Sequence, residues 1–254
     1  ISDRPVLGGS CSSEVRVPPI GASNSPYNLF ARETGVLEEF WLNLEEMAGR
    51  SGRWRWLYYD EAYFDLVLAE PNLDMFLNTS VFDVEMAGAG KIATAKAVQL
   101  RSETFLDFSA PTFIDCSGDG TLGYLAGADY RVGREEQAEF NEADAPAKSD
   151  RGTMGATLLF STIDRGHAVP FQAPDWALDV TELPTLLDPE KTGHRYLYNS
   201  IYGTYYGFWW AEYGGQIDSI HDDDHVMIHT RQLIYGLWDY VKNRSRYASE
   251  ARQY

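Results

Sequence analysis

The run Phe113-Ile114-Asp115-Cys116-Ser117-Gly118-Asp119-Gly120 constrains this chain more than any other stretch. Ala110 to Asp115 reads as a short buried strand, and Leu122 to Ala126 as a short helix that stops at Gly127, a residue free to take the left-handed cap conformation. Gly118 and Gly120 therefore fall on a strand-to-helix turn. Without Cβ atoms they let the backbone pass close to a ligand, and the N–H groups that open a helix offer donors with partial positive charge. Such a turn suits a phosphate or the edge of a nucleotide. Glycine spacing alone is equally compatible with an ordinary tight connection.

The longer wording narrows the choice. The run from Phe113 through Asp119, Tyr124 and Ala128 to Glu135 resembles the second flavin-contacting segment of the FAD-dependent oxidoreductase family, whose members usually read Phe-Ile-Asp-Ala-Thr-Gly-Asp-Gly here. Cys116 and Ser117 stand for Ala and Thr, small residues for small. The resemblance implies that Ser117, Gly118, Asp119 and Gly120 contact FAD from the side opposite a GxGxxG turn. It also implies that the chain is entered midway, because no N-terminal GxGxxG unit precedes Ile1 to Ser10. The ribose-binding carboxylate of such a unit would fall at Ser2 or Asp3, beside Arg4, and Ser2 is not acidic. Gly8, Gly9, Ser10, Ser12 and Ser13 resemble the family's loop along the pyrophosphate; two glycines allow close approach and serines supply short donors.

Glu14 and Arg16 lie two apart and share one face of any strand here, as an ion pair or, by resemblance, as groups beside the flavin that hold a substrate. Asn28 to Trp56 carries Leu29, Phe30, Val36, Leu37, Phe40, Trp41, Leu44 and Met47 at helical spacing, interrupted at Thr34-Gly35, and predicts two helices of an accessory layer. Arg53-Trp54-Arg55-Trp56 packs Trp inward and shows Arg to solvent. Glu61 to Glu70 is a further helix ended by Pro71. Leu73 to Val84 alternates as strands, Gly88-Ala89-Gly90 turns into Lys91 to Leu100, and Phe105 to Phe108 returns. By resemblance this is the β-meander of flavoprotein dinucleotide folds, with Ser80 and Val81 against the adenine.

Beyond the central turn, Asp129 to Val132 reads as a strand, Glu135 to Asp144 as an acidic helix, and Thr153 to Ser161 as a strand of a second domain. The stretch 148–152 gives the boundary, so that 1–148 form a partial FAD-binding domain with a helical insertion and 149–254 a partial substrate or cap domain. Residues 164–200 are loop-rich. The aromatic concentration Tyr196, Tyr198, Tyr202, Tyr205, Tyr206, Phe208, Trp209, Trp210 and Tyr213 fits either a strand buried on two faces or an aromatic wall for a ring-shaped substrate, with Glu212 as a polar handle. Asp222 to Arg244 predicts a long helix, on which His221, His225 and His229 recur every fourth residue. They are read as structural, since no HExxH accompanies them and the aspartates suit a helix start.

At 254 residues the chain can bury a large core, and Cys11 and Cys116 show no paired spacing. A net charge of −17 argues against nucleic acid and anionic membranes as partners. The expectation is therefore an α/β, or mixed α+β, fragment of an FAD-dependent oxidoreductase: an incomplete Rossmann-like FAD domain with the start of a substrate domain, inactive by itself. It would move a hydride between flavin and a small organic, carbohydrate-like substrate, with Arg16, Glu14 and Glu212 as candidates for catalysis, FAD as cofactor and no metal. The alternative from another class is a carbohydrate-binding or glycan-hydrolysing protein, prompted by the aromatics and 38 acidic residues.

Overall fold

Helices and, among the described residues, two small antiparallel sheets build a mixed α/β chain that divides into two compact units, Ile1–Tyr130 and Arg131–Tyr254. The computed structural model describes residues 1–21, 23–24, 28–53, 55–160, 162–183 and 211–254.

In the first unit, β1 (Ser23–Asn24) pairs with β2 (Asn28–Arg32) antiparallel. Helix α1 (Val36–Ser51) follows Gly35, carries Glu38 and Glu39 in its first turn and Arg50 in its last, and closes on Gly52, whose N–H donates to the Ala48 carbonyl. The charges oppose the helix dipole correctly at both ends. A 3-10 turn (Arg55–Tyr58) leads into α2 (Tyr59–Leu68). Phe40, Leu44, Tyr59 and Ala62 bury together between the two helices, with the Phe40 ring stacked 4.4 Å from that of Tyr63. Arg53 and Arg55 are exposed while Trp56 packs on this cluster, as expected of those three positions; Trp54 lies outside the described residues.

The sheet has the order β3 (Thr79–Gly88), β4 (Lys91–Gln99), β5 (Thr104–Phe108), an antiparallel meander. Gly90, at φ 71°, makes the expected hairpin turn. Short α3 (Thr121–Leu125) lies against β3, and Gly127 follows it at φ 74°.

Several expected elements differ. Residues 28–32 form a strand, not a helix: this five-residue run is too short to nucleate a helix alone and its apolar pair fits either period. Residues 73–78 lie outside the strand, which begins only after Asn78 at φ 51°. Ala110 to Asp115 forms no strand, and Ile114 is 80% exposed, so the expected short buried strand is absent there. A strand needs a neighbour to exchange hydrogen bonds, and among the described residues none lies beside this segment.

Asp129 to Val132, which spans the boundary, is likewise no strand; in the second unit Arg134 and Asp150 exchange both backbone hydrogen bonds just after it. The acidic helix is one turn, α4 (Gln137–Phe140), stopped by Asn141 at φ 56°. Thr153 to Phe160 forms no continuous strand among the described residues: Ala156 bridges Tyr213 antiparallel and the Thr153 N–H donates to the Gly215 carbonyl, while Ser161 lies outside the described residues. The long helix forms as expected: α5 (Asp223–Asp239) runs on through a π-helical turn (Tyr240–Arg244), and α6 (Ala248–Ala251) folds back. Leu233, Ile234, Leu237 and Val241 bury against Val180, Ala211 and Ala251. Gly236 lets the Leu178 backbone touch α5, since a Cβ there would sit 1.9 Å from the Leu178 carbonyl oxygen. Lys242 is buried, and its Nζ donates to the backbone carbonyls of Val169, Arg252 and Tyr254, tying three segments together. Burial lowers its pKa.

Candidate functional site

The glycine-serine loop near the start is braced from within and from α2. Gly8 has φ 103°, and a Cβ on it would lie 2.5 Å from the Tyr63 ring, so glycine is required there by an aromatic neighbour. Ser12 is fully buried; its hydroxyl donates to the Gly9 carbonyl at 2.7 Å and accepts from the Glu14 N–H. The Ser13 N–H donates to Asp60 at 2.7 Å. Burial pushes the Tyr63 phenol pKa up, and Cys11 beside it adds to the rise. Asp60 and Tyr63, absent from the sequence expectations, are therefore what hold the loop, and no local motif announces a contact made across about fifty residues of chain.

Glu14 and Arg16 do not share a strand face. Arg16 sits at φ 65° after a turn, with its guanidinium 4.7 Å from the centre of the Trp56 ring, while Glu14 faces Arg4 at 3.6 Å. A run of Ser12-centred hydrogen bonds curls residues 12–16 into a turn, which separates the two side chains.

Ladder-like hydrogen bonds bring two of the predicted contact segments together. The Ser2 N–H donates to Phe76, Asn78 donates to Arg4 at 3.1 Å, and Thr79 donates to Ser2 at 2.8 Å. Asp3 and Arg4 thereby run beside the start of β3, which carries Ser80 and Val81.

The central turn is organised by Asp115. Its Oδ1 accepts from the Ser117 N–H at 3.0 Å and the Ser117 hydroxyl at 2.6 Å, and its Oδ2 from the Gly123 N–H at 2.8 Å. The Ser117 hydroxyl in turn accepts from the Thr121 N–H. These bonds, led by the Ser117 hydroxyl, lower the pKa of Asp115. The Asp-x-Ser wording is a turn signal of the Asx type and is legible in the sequence. The expectation that the chain carries no GxGxxG fingerprint is corrected on spacing alone, since Gly118-Asp119-Gly120-Thr121-Leu122-Gly123 matches it. That run lacks the usual context, following an unpaired segment and opening a five-residue helix. Gly118 at φ 89° and Gly120 at φ 74° have open space where a Cβ would be. Among the described residues, the N–H groups of Gly118, Asp119 and Gly120 and the Asp119 carboxylate bond to no protein group. No described hydrogen bond joins this turn to Gly8–Ser13; its link to Ser80 and Val81 is the packing of α3 on β3.

In the second unit, the Tyr213 hydroxyl meets His225 Nε2 at 3.1 Å and its ring lies 3.9 Å from that of His229. Burial, then His225, lowers the pKa of His229. His221 leaves the ladder for Asp218, at 2.9 Å. Glu212 is exposed beside Gly155. Of the aromatic wall, Tyr196 to Trp210 lies outside the described residues. No described group of three metal-ligating side chains gathers.

The sequence model of the family described as FAD dependent oxidoreductase matches residues 1–253. The chain belongs to that family. No curated protein and no solved structure matches it. As a member of the FAD-dependent oxidoreductases it takes FAD as cofactor and serves flavin redox chemistry, and the family implies a dinucleotide-binding fold, with which the mixed helices and antiparallel sheet are compatible. Membership also replaces the glycan-hydrolase alternative.

Proposed function

We propose that this FAD-dependent oxidoreductase transfers a hydride between flavin and a small, ring-shaped, hydroxylated organic molecule, with 1–148 holding FAD and 149–254 serving the substrate. The observation that supports the cofactor half is the ladder of Ser2 and Arg4 with Phe76 to Thr79, which brings together the two segments that this reading assigns to ribose and adenine. In this reading Asp3, Arg4, Ser80 and Val81 hold the adenosine end. Gly8, Gly9, Ser10 and Ser13 follow the pyrophosphate, with Ser12 bracing the loop from its buried position. Ser117, Gly118, Asp119 and Gly120 meet the ribityl and ribose hydroxyls, since the Asp119 carboxylate repels a phosphate.

FAD supplies the hydride acceptor or donor, and the protein binds and orients it. Arg16, fixed over Trp56, and Glu14 are the candidates for catalysis in the first unit. Glu212 is a separate candidate in the second, next to Tyr213, whose hydroxyl is hydrogen-bonded to His225 Nε2. The partners of the protein are small molecules, with nucleic acid and membranes disfavoured by its charge.

A purified, FAD-loaded protein tests this directly. Anaerobic addition of a panel of sugars, sugar acids and simple alcohols should bleach the visible flavin band with at least one ring-shaped polyol. Bleaching confined to non-hydroxylated substrates would refute the substrate class, and a protein that takes up no FAD would refute the cofactor contacts.

A further inference from the structure

We propose that the second unit holds a binding site for a small organic carboxylate with a flat apolar body, in a cavity apart from the groups assigned above. The cavity has a volume of about 790 Å³ and is walled chiefly by Phe160, Phe171, Trp176, Tyr235, Trp238 and Tyr254. That is ample for a drug-sized ligand and has the usual character of such sites, apolar walls with few polar groups. Arg165 and Arg231 stand at the same cavity. Elsewhere in this unit Arg131 pairs with Glu139, Arg134 with Asp150, and Arg244 with Asp179 and Asp239, while Arg151 and Arg252, which do not line the cavity, also lack a described carboxylate partner; what sets Arg165 and Arg231 apart is their place at the aromatic wall. Arg165 and Arg231 have no carboxylate partner among the described residues. In a chain of net charge −17, two guanidinium groups left without anions beside an aromatic wall mark a place for an anion brought from outside.

The aromatic wall decides the rest of the ligand. Trp176 is 48% exposed and Tyr235 39%, and their rings lie 4.8 Å apart, so a sizeable aromatic surface stays in contact with solvent. Behind them Trp238 packs edge-on to Phe160 at 5.4 Å, which fixes the inner wall. A planar hydrocarbon or heteroaromatic body covers those faces, while its carboxylate reaches a guanidinium in bidentate geometry. A neutral polyol cannot form the charge-assisted pair with a guanidinium, so this site is distinct in chemistry from the substrate class proposed above and does not depend on that reading.

Calorimetric titration of the purified protein with indole-3-acetate, and with the neutral indole-3-acetamide, is the test. Saturable binding of the acid is expected, with the amide weaker by about tenfold or more. Arg165→Gln and Arg231→Gln, both at exposed positions, should each weaken the acid and leave the amide unchanged, with melting temperatures as in the parent. Equal affinity for acid and amide, unchanged acid binding in both variants, or no saturable binding of either ligand would overturn the proposal. Flavin content, read from visible absorbance of the same samples, should not change in either variant. Its loss would mean that the arginines act through the fold and would count against the site.

Discussion

Asp115→Asn isolates what holds the central turn open to FAD. The carboxylate receives three hydrogen bonds, from the Ser117 N–H, the Ser117 hydroxyl and the Gly123 N–H. Asparagine keeps one carbonyl oxygen for Ser117, but its amide group then faces the Gly123 N–H, donor against donor. Bonds to a charged acceptor contribute more than neutral ones, and the exposure of this turn reduces them, so the ordered turn should lose about 1–2 kcal/mol. That ordering must then be supplied on binding, which weakens FAD by about 5- to 30-fold. Flavin fluorescence during titration of the apoprotein gives the dissociation constant. Both buried clusters lie elsewhere, so the melting temperature should barely move. The pH dependence has a definite sign. Asp115 is more acidic folded than unfolded, so its contribution is present above the ordinary aspartate range and disappears as pH falls through the lowered folded value. An Asn variant that binds FAD as tightly as the parent would refute the reasoning, as would a fall in melting temperature equal to that of a core substitution.

Gly118→Val should leave a folded protein without flavin: φ 89° is costly for a β-branched residue, while the space around it is open, so the damage stays in the turn. Retention of full visible absorbance would make Gly118 only a turn residue. Gly236→Ala should destabilise the protein by roughly 1–3 kcal/mol in urea unfolding, because the clash with the Leu178 carbonyl outweighs the better helix propensity of alanine; a more stable variant would contradict the packing of Leu178 on α5. His229 should titrate by NMR below the ordinary imidazole value of about 6.5, since burial and His225 both oppose its charge. Replacing it with Gln should therefore remove a loss of stability that appears as pH falls through that region, and an unchanged pH profile would argue against it.

The sequence by itself determined the features that depend on near neighbours. The meander from Thr79 to Phe108 follows from period-two runs cut by Gly88 and Gly90, and the helix from Asp223 from its apolar stripe and acidic start. The central turn was legible because its glycines, Asp115 and Ser117 act within nine residues of one another. The family was legible in the same words. Tertiary structure decided whatever rests on partners distant in the chain. Whether Ala110 to Asp115 is a strand depends on a neighbour to share its hydrogen bonds, and Asn28 to Arg32 took the strand state when β1 supplied one. Gly8 answers to Tyr63, Ser13 to Asp60 and Arg16 to Trp56, each brought close only when α2 and its leading turn pack beside the loop. Periodicity and turn chemistry are local quantities, whereas side-chain company is fixed by how elements stack, and a single sequence does not carry that stacking in any short window.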